Sequence, residues 1–142
     1  MIAYFDTSAV VPLLVEEEPG SEVSLRVFLH AETVVPVRMT FAEVSAALAR
    51  ASRLGRLTAD AHDRALAELE SVWAQMDVLD VDDDLVRAAG ALARAHALRG
   101  YDAVHCAAAL RVLSETTVAL AGDRDLLAAW LREGLQVLDT QS

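Results

Sequence analysis

Four carboxylates stand where this chain passes from one element into the next. Asp6 follows the apolar run Ile2–Phe5, and Glu43 lies early in the helical stretch opening at Thr40. Asp102 falls in the first turn of the stretch Gly100–Ala109, and Asp123 follows the apolar run Thr117–Leu120. Each has an ordinary structural explanation. Asp102 and Asp123 suit helix starts, where unpaired N–H groups and the helix dipole favour an anion. Thr40-Phe41-Ala42-Glu43 matches a capping box, which would account for Glu43 by itself. Their company favours a second reading. Carboxylates brought together repel one another, so ionising them all is unfavourable without a cation. Hard oxygen donors suit Mg²⁺ or Mn²⁺, and such centres bind phosphodiesters and activate water for in-line attack.

The elements around these acids decide whether they can meet. Strands are expected at Ile2–Phe5, Val34–Val37, Val78–Val81, Thr117–Leu120 and Leu135–Leu138. Helices are expected at Ala9–Glu18 (capped by Thr7 or Ser8), Ser21–His30, Thr40–Leu54, Thr58–Gln75, from Asp82 up to a stop at Gly100, from Asp102 to about Leu113, and from Asp123 to about Arg132. Pro19-Gly20, Gly55 and Gly134 punctuate them. Strands separated by helices imply a parallel sheet covered on both faces. In such sheets ligands gather at the carboxyl ends of the strands, near the point where strand order reverses. The stretch from Thr58 is the hardest to place. It suits a helical hairpin with the helix before it, projecting as a clip.

The chain has 142 residues and suits one domain, residues 1–142, with a real core. Its apolar share is 54% and its aromatic share 5%, so the core must be mostly Ala, Val and Leu. The net charge of −10 argues against a general nucleic-acid coat protein but is compatible with a local acidic metal site or a basic partner segment. All 12 basic residues are arginine, which suits bidentate phosphate contacts. Cys106 is the only cysteine, so no internal disulfide forms and a reducing compartment is expected. Met1–Asp6 has neither a basic n-region nor a long apolar h-region, so no signal peptide is expected. No apolar run reaches membrane-spanning length. A cytoplasmic protein without membrane association is the expectation.

Other residues carry less chemistry. Asp125, one turn into its helix, is a candidate peripheral acid. Asp82, Asp83 and Asp84 read as a solvated helix start. His105 shares a helix face with Asp102 and reads as a packed or hydrogen-bonded histidine rather than a ligand. Cys106 reads as core, and Arg50, Arg53 and Arg56 as a solvated helix end.

Asp6-Thr7-Ser8-Ala9, Glu43, Tyr101-Asp102-Ala103-Val104-His105 and Gly122-Asp123-Arg124-Asp125-Leu126 together resemble the motifs of PIN-domain nucleases, in order and spacing, over essentially the whole chain. The small size looks most like the VapC-type toxins of toxin–antitoxin pairs. The resemblance implies a three-layer α/β/α fold with a short parallel central sheet. It implies Asp6, Glu43, Asp102 and Asp123 as a metal-holding catalytic quartet, with Thr7 or Ser8 orienting a carboxylate or water. It further implies Mg²⁺ or Mn²⁺, endoribonuclease activity on RNA, a homodimer, and a cognate antitoxin. The sequence departs from the pattern at Ala121, where many relatives carry Thr or Ser. That departure keeps open a PIN-like binding module without catalysis. A phosphate-handling α/β enzyme using Asp6 as nucleophile is a third reading, although the usual second Asp two residues on is here Ser8.

Overall fold

The computed structural model describes residues 1–142. The chain runs β1 (Ile2–Phe5), α1 (Thr7–Leu14), α2 (Ser21–His30), β2 (Thr33–Val35), α3 (Thr40–Arg53), α4 (Ala59–Trp73), α5 (Asp83–His96), α6 (Gly100–Arg111), β3 (Thr117–Ala121), α7 (Arg124–Arg132) and β4 (Gln136–Asp139). The four strands form one parallel sheet in the order β2-β1-β3-β4. The chain leaves β1 toward β2 on one side and returns as β3 on the other. The carboxyl ends of β1 and β3 therefore frame the crevice where strand order reverses.

Alternation along the strands sorts the core into two layers. Tyr4, Val35, Ala119 and Ala121 face one way, into a cluster with Leu85, Cys106 and Trp130 from α5, α6 and α7. Ala3, Phe5, Val34 and Leu120 face the other way, onto Val10, Val44, Leu48 and Leu69 from α1, α3 and α4. The result is the expected α/β/α sandwich. Ala103, Ala107, Ala108 and Ala109 make the buried side of α6 nearly smooth, so that helix lies close to its neighbours. Trp130 supplies the bulk that alanine cannot. It is fully buried, and its ring meets Tyr4 edge-on at 5.8 Å. Truncating such a residue to alanine costs about 3–5 kcal/mol. On the other layer α3 packs on α4, with Phe41 and Trp73 edge-to-face at 5.3 Å, as the hairpin reading expects.

Several local expectations fail, each for a physical reason. Val78–Val81 forms no strand. It makes a single parallel bridge, Val37 to Leu79, because Pro36 has no N–H to carry the ladder beyond Val35. The capping box at Thr40 does not form: Met39 is the N-cap, Thr40 is itself helical, and its buried hydroxyl has no partner. The helix before Gly100 ends earlier, at Ala97, which adopts the left-handed conformation (φ 54°), while Leu98 is buried and donates its N–H to Ala93. Gly100 instead begins α6. The first helix stops at Leu14, and its cap is Asp6, which accepts from the Ser8 N–H.

Beyond Leu14 the chain loops, held by the Ser21 hydroxyl donating to the carbonyls of Val15 and Glu18. Gly20 closes the loop at φ 91°, where a Cβ would stand 2.7 Å from the Thr140 carbonyl oxygen. Gln141 reaches back to the Pro19 carbonyl at 3.3 Å. These contacts bring Glu18 and Gln141 over the carboxyl edge of the sheet. No helix is long and apolar enough to cross a membrane.

Candidate active site at the carboxyl edge of the sheet

The expected acids converge. Asp6, Glu43, Asp102 and Asp123 line one open cavity of about 410 Å³, together with Thr7, Ser8, Glu18 and Tyr101. The lining holds five carboxylates and no arginine. Asp125 is exposed and does not line it. Each acid is placed by a different element. Asp6 ends β1 and caps α1, Asp123 follows β3 and caps α7, and Glu43 and Asp102 occupy the first turns of α3 and α6.

The hydrogen bonds divide three of the four carboxylates into a tied and a free oxygen. The Ser8 N–H and hydroxyl both donate to Oδ2 of Asp6, at 3.2 and 2.6 Å. The Ser8 oxygen in turn accepts from the Gly122 N–H at 2.8 Å, tying Asp6 to the turn that carries Asp123. The Thr7 hydroxyl donates to Oε1 of Glu43 at 2.8 Å, and Nε2 of His105 meets the same oxygen at 2.7 Å. Oδ1 of Asp123 accepts from the Leu126 N–H at 2.9 Å. Oε2 of Glu43, Oδ2 of Asp123 and both oxygens of Asp102 have no hydrogen-bond partner, and Oδ1 of Asp6, also without a hydrogen bond, lies 3.3 Å from His105 Nε2.

That donor set suits a hard divalent cation: oxygen only, anionic, with one oxygen of Asp6, Glu43 and Asp123 already fixed and Asp102 left free. The cavity is lined rather than caged, since no three acidic, histidine or cysteine groups stand in ready ligating geometry.

The electrostatics agree. Burial pushes the Asp102 carboxyl above its ordinary range, and the neighbouring charges of Asp123 and then Asp6 add to this, against His105 and Arg99. Burial would also raise Glu43, but the hydrogen bond and charge of His105, with the Thr7 bond, hold it below the usual value. His105 is 1% exposed. Burial disfavours its cation, yet the Glu43 bond and the charges of Asp6, Glu43 and Asp102 raise its pKa overall. Its Nδ1 is hydrogen-bonded with the Tyr4 hydroxyl at 2.7 Å. Burial, then Asp6 and Glu43, keep that phenol protonated far above neutral pH.

The PIN domain family model matches residues 3–129, a span holding all four converging acids. The chain is a PIN-domain protein. It is 37% identical over 140 residues to ribonuclease VapC45 of Mycobacterium tuberculosis, covering 99% of this chain and 96% of that one, which places it with the VapC branch. Among solved structures it is similar to PAE2754 from Pyrobaculum aerophilum, with 25% identity, a TM-score of 0.70, and coverage of 96% of this chain and 83% of that one. It shares its fold with a toxin–antitoxin complex from Klebsiella pneumoniae, at 15% identity and a TM-score of 0.66 over 97% of each chain.

In this PIN domain two site features escaped the sequence. Glu18 reads as the tail of a helix, and only the loop after Leu14 carries it to the cavity. His105 is indeed hydrogen-bonded, but nothing local names its partners, which lie 62 and 101 residues away. Cys106 is buried as expected, and burial, with Glu133 nearby, pushes its thiol up to about 12, leaving it protonated and inert. Asp82 caps α5 through the Leu85 N–H and pairs with Arg111 at 3.1 Å, a structural role. Ala121 is packed in the core beside Trp130, so Ser8 provides the hydroxyl tie at this edge.

Proposed function

We propose that this PIN domain, taken as a single unit over residues 1–142, is a metal-dependent endoribonuclease and the toxin of a type II toxin–antitoxin pair. Asp6, Glu43, Asp102 and Asp123 are its catalytic, metal-holding acids. One observation carries the reading: four carboxylates from four elements face one cavity, and each keeps an oxygen that no protein hydrogen bond claims. The ribonuclease identity of its 37% relative supports RNA as the substrate.

Mg²⁺ or Mn²⁺ is the fitting cofactor, and when bound it would lower the pKa of a water for attack on a phosphodiester. The chain's own residues prepare the ground. Ser8 fixes one oxygen of Asp6, Thr7 and His105 fix one of Glu43, and the start of α7 fixes one of Asp123. Tyr101 stands 49% exposed at the rim, with Nη1 of Arg99 donating to its hydroxyl at 3.2 Å. That pair offers a face for a nucleobase and a guanidinium for phosphate on an otherwise acidic approach.

A groove of about 570 Å³ opens beside the cavity, with Val11, Val15, Leu48 and Leu57 on its apolar side and Glu17, Arg50 and Arg56 also lining it. Val11, Glu18, Pro19 and Ala47 belong to both. The groove suits an amphipathic antitoxin helix, with an Arg or Lys reaching the carboxylates. The toxin is expected to act as a homodimer in the cytoplasm.

The test is cleavage of single-stranded RNA by the purified chain with Mg²⁺, with Mn²⁺ and with excess chelator. Cutting with metal and none with chelator is expected. Absence of metal-dependent cutting would overturn the reading.

A further inference from the structure

We infer that His105 is a positioning residue of this site: locked by the buried Tyr4 hydroxyl, it directs its Nε2 hydrogen at Oε1 of Glu43 and so turns the other oxygen of Glu43 toward the cavity. The inference rests on the nuclease reading above and deepens it.

The Tyr4 side chain is fully buried, and Nδ1 of His105 is the one side-chain partner of its hydroxyl. A buried O–H left without an acceptor costs about 1–3 kcal/mol. Tyr4 therefore disfavours the neutral ring form that carries its hydrogen on Nδ1. That is the form in which Nε2 would be bare. A bare Nε2 would also set a lone pair against two carboxylates, Glu43 at 2.7 Å and Asp6 at 3.3 Å. In every remaining form Nε2 carries a hydrogen, whichever charge the ring holds.

The anchor is rigid. Tyr4 sits mid-strand in β1, paired with Val35 on one side and Ala119 on the other, and its ring is wedged edge-on between Trp130 at 5.8 Å and His105 at 6.0 Å. The span is long. His105 belongs to α6 and Glu43 to α3, helices that pack on opposite faces of the sheet. Their bond closes the two layers around the carboxyl edge. Thr7 donates to the same Glu43 oxygen, so Oε1 is fully engaged and Oε2 is the one left for a ligand. Neither Tyr4 nor His105 lines the cavity. The pair acts through Glu43 and not on substrate.

The experiment uses the full chain as wild type, Tyr4→Phe, His105→Gln and His105→Asn. Tyr4→Phe keeps the ring and its packing. Gln places an amide N–H near the position of Nε2, whereas Asn falls short of it. Three measurements are made: ¹⁵N shifts of the His105 ring, Mn²⁺ binding by calorimetry, and kcat and KM on an RNA oligonucleotide. In the wild type Nε2 should be protonated. Tyr4→Phe should weaken Mn²⁺ binding and lower kcat by about 10- to 100-fold, the usual effect of losing a group that orients a ligand. KM for RNA should stay put, and the folded fraction should match the wild type. His105→Gln should recover most of what His105→Asn loses.

A bare Nε2 in the wild type overturns the inference, as do Mn²⁺ affinity and kcat unchanged in Tyr4→Phe, or Gln no better than Asn. Those results leave the nuclease reading intact. A wild type that neither binds Mn²⁺ nor cuts RNA overturns both.

Discussion

The acidic cavity has a tied side and a loose side. On the tied side, Asp6 and Glu43 accept hydrogen bonds from Ser8, Thr7 and His105. On the loose side, Asp102 accepts none and Asp123 only the cap bond of its own helix. The same physics acts on both, since burial raises both Glu43 and Asp102. On the tied side donors reverse the effect, and on the loose side the charges of Asp123 and Asp6 reinforce it. The protein thus stabilises negative charge where it supplies hydrogen atoms, and leaves it uncompensated on the other side. Opposite shifts in neighbouring carboxylates also mark a functional site more sharply than their number does.

The largest effect should come from Asp102→Asn, on the loose side. RNA cleavage should fall by more than about 100-fold, beyond what losing an orienting neighbour does. In excess chelator this variant should melt at or above the wild type. The sign follows from linkage: a carboxyl whose folded pKa is raised contributes stability at low pH and loses it as pH rises through that pKa. Removing the charge therefore helps at neutral pH, and the gap should close on acidification. With Mn²⁺ the order should reverse, because the wild type gains more from metal linkage. Parallel melts with chelator and with Mn²⁺ decide it; a variant that responds to Mn²⁺ like the wild type and still cuts RNA would leave Asp102 as a helix-start residue only.

Glu43→Gln probes the tied side and should behave oppositely. A carboxyl whose folded pKa is depressed contributes stability above its ordinary pKa and loses it as pH falls through the lowered one. The metal-free variant should melt below the wild type at neutral pH and converge with it in acid. A deficit that persists in acid would trace to packing rather than charge. Thr7→Val is milder. It keeps the shape and removes one donor to Glu43, so a loss of about 0.5–1.5 kcal/mol in chemical denaturation is expected. The smallest effect belongs to Asp125→Asn, exposed and outside the cavity. Its stability should stay within about 0.5 kcal/mol of the wild type and its cleavage rate should hold; a large loss of activity would extend the loose side along α7.

Much of this was legible in the order of residues. Ser21–His30 is a helix with the bounds its pattern gives, Thr58 and Asp82 cap the helices they precede, and the four acids mark the four junctions that meet. These signals are local, resting on partners within a few residues or on a period along one element, and linear reading captures them. The same localness misleads at Thr40-Phe41-Ala42-Glu43. The capping box is sound as a pattern, yet Glu43 has a stronger bond to His105 than a backbone N–H offers, and Thr40 is drawn into the core without a partner. Ala97 takes a left-handed turn that glycine would adopt more easily, because burying Leu98 outweighs that strain. The sequence by itself therefore determined which residues begin and end most elements, and which acids stand at the strand ends. Only the tertiary structure decided which oxygen of each acid is tied and which is free, that Glu18 joins them, and that Tyr4, His105 and Glu43 form one chain of contacts. Those outcomes depend on which layer each helix packs against, and that is settled by burial over the whole sheet at once.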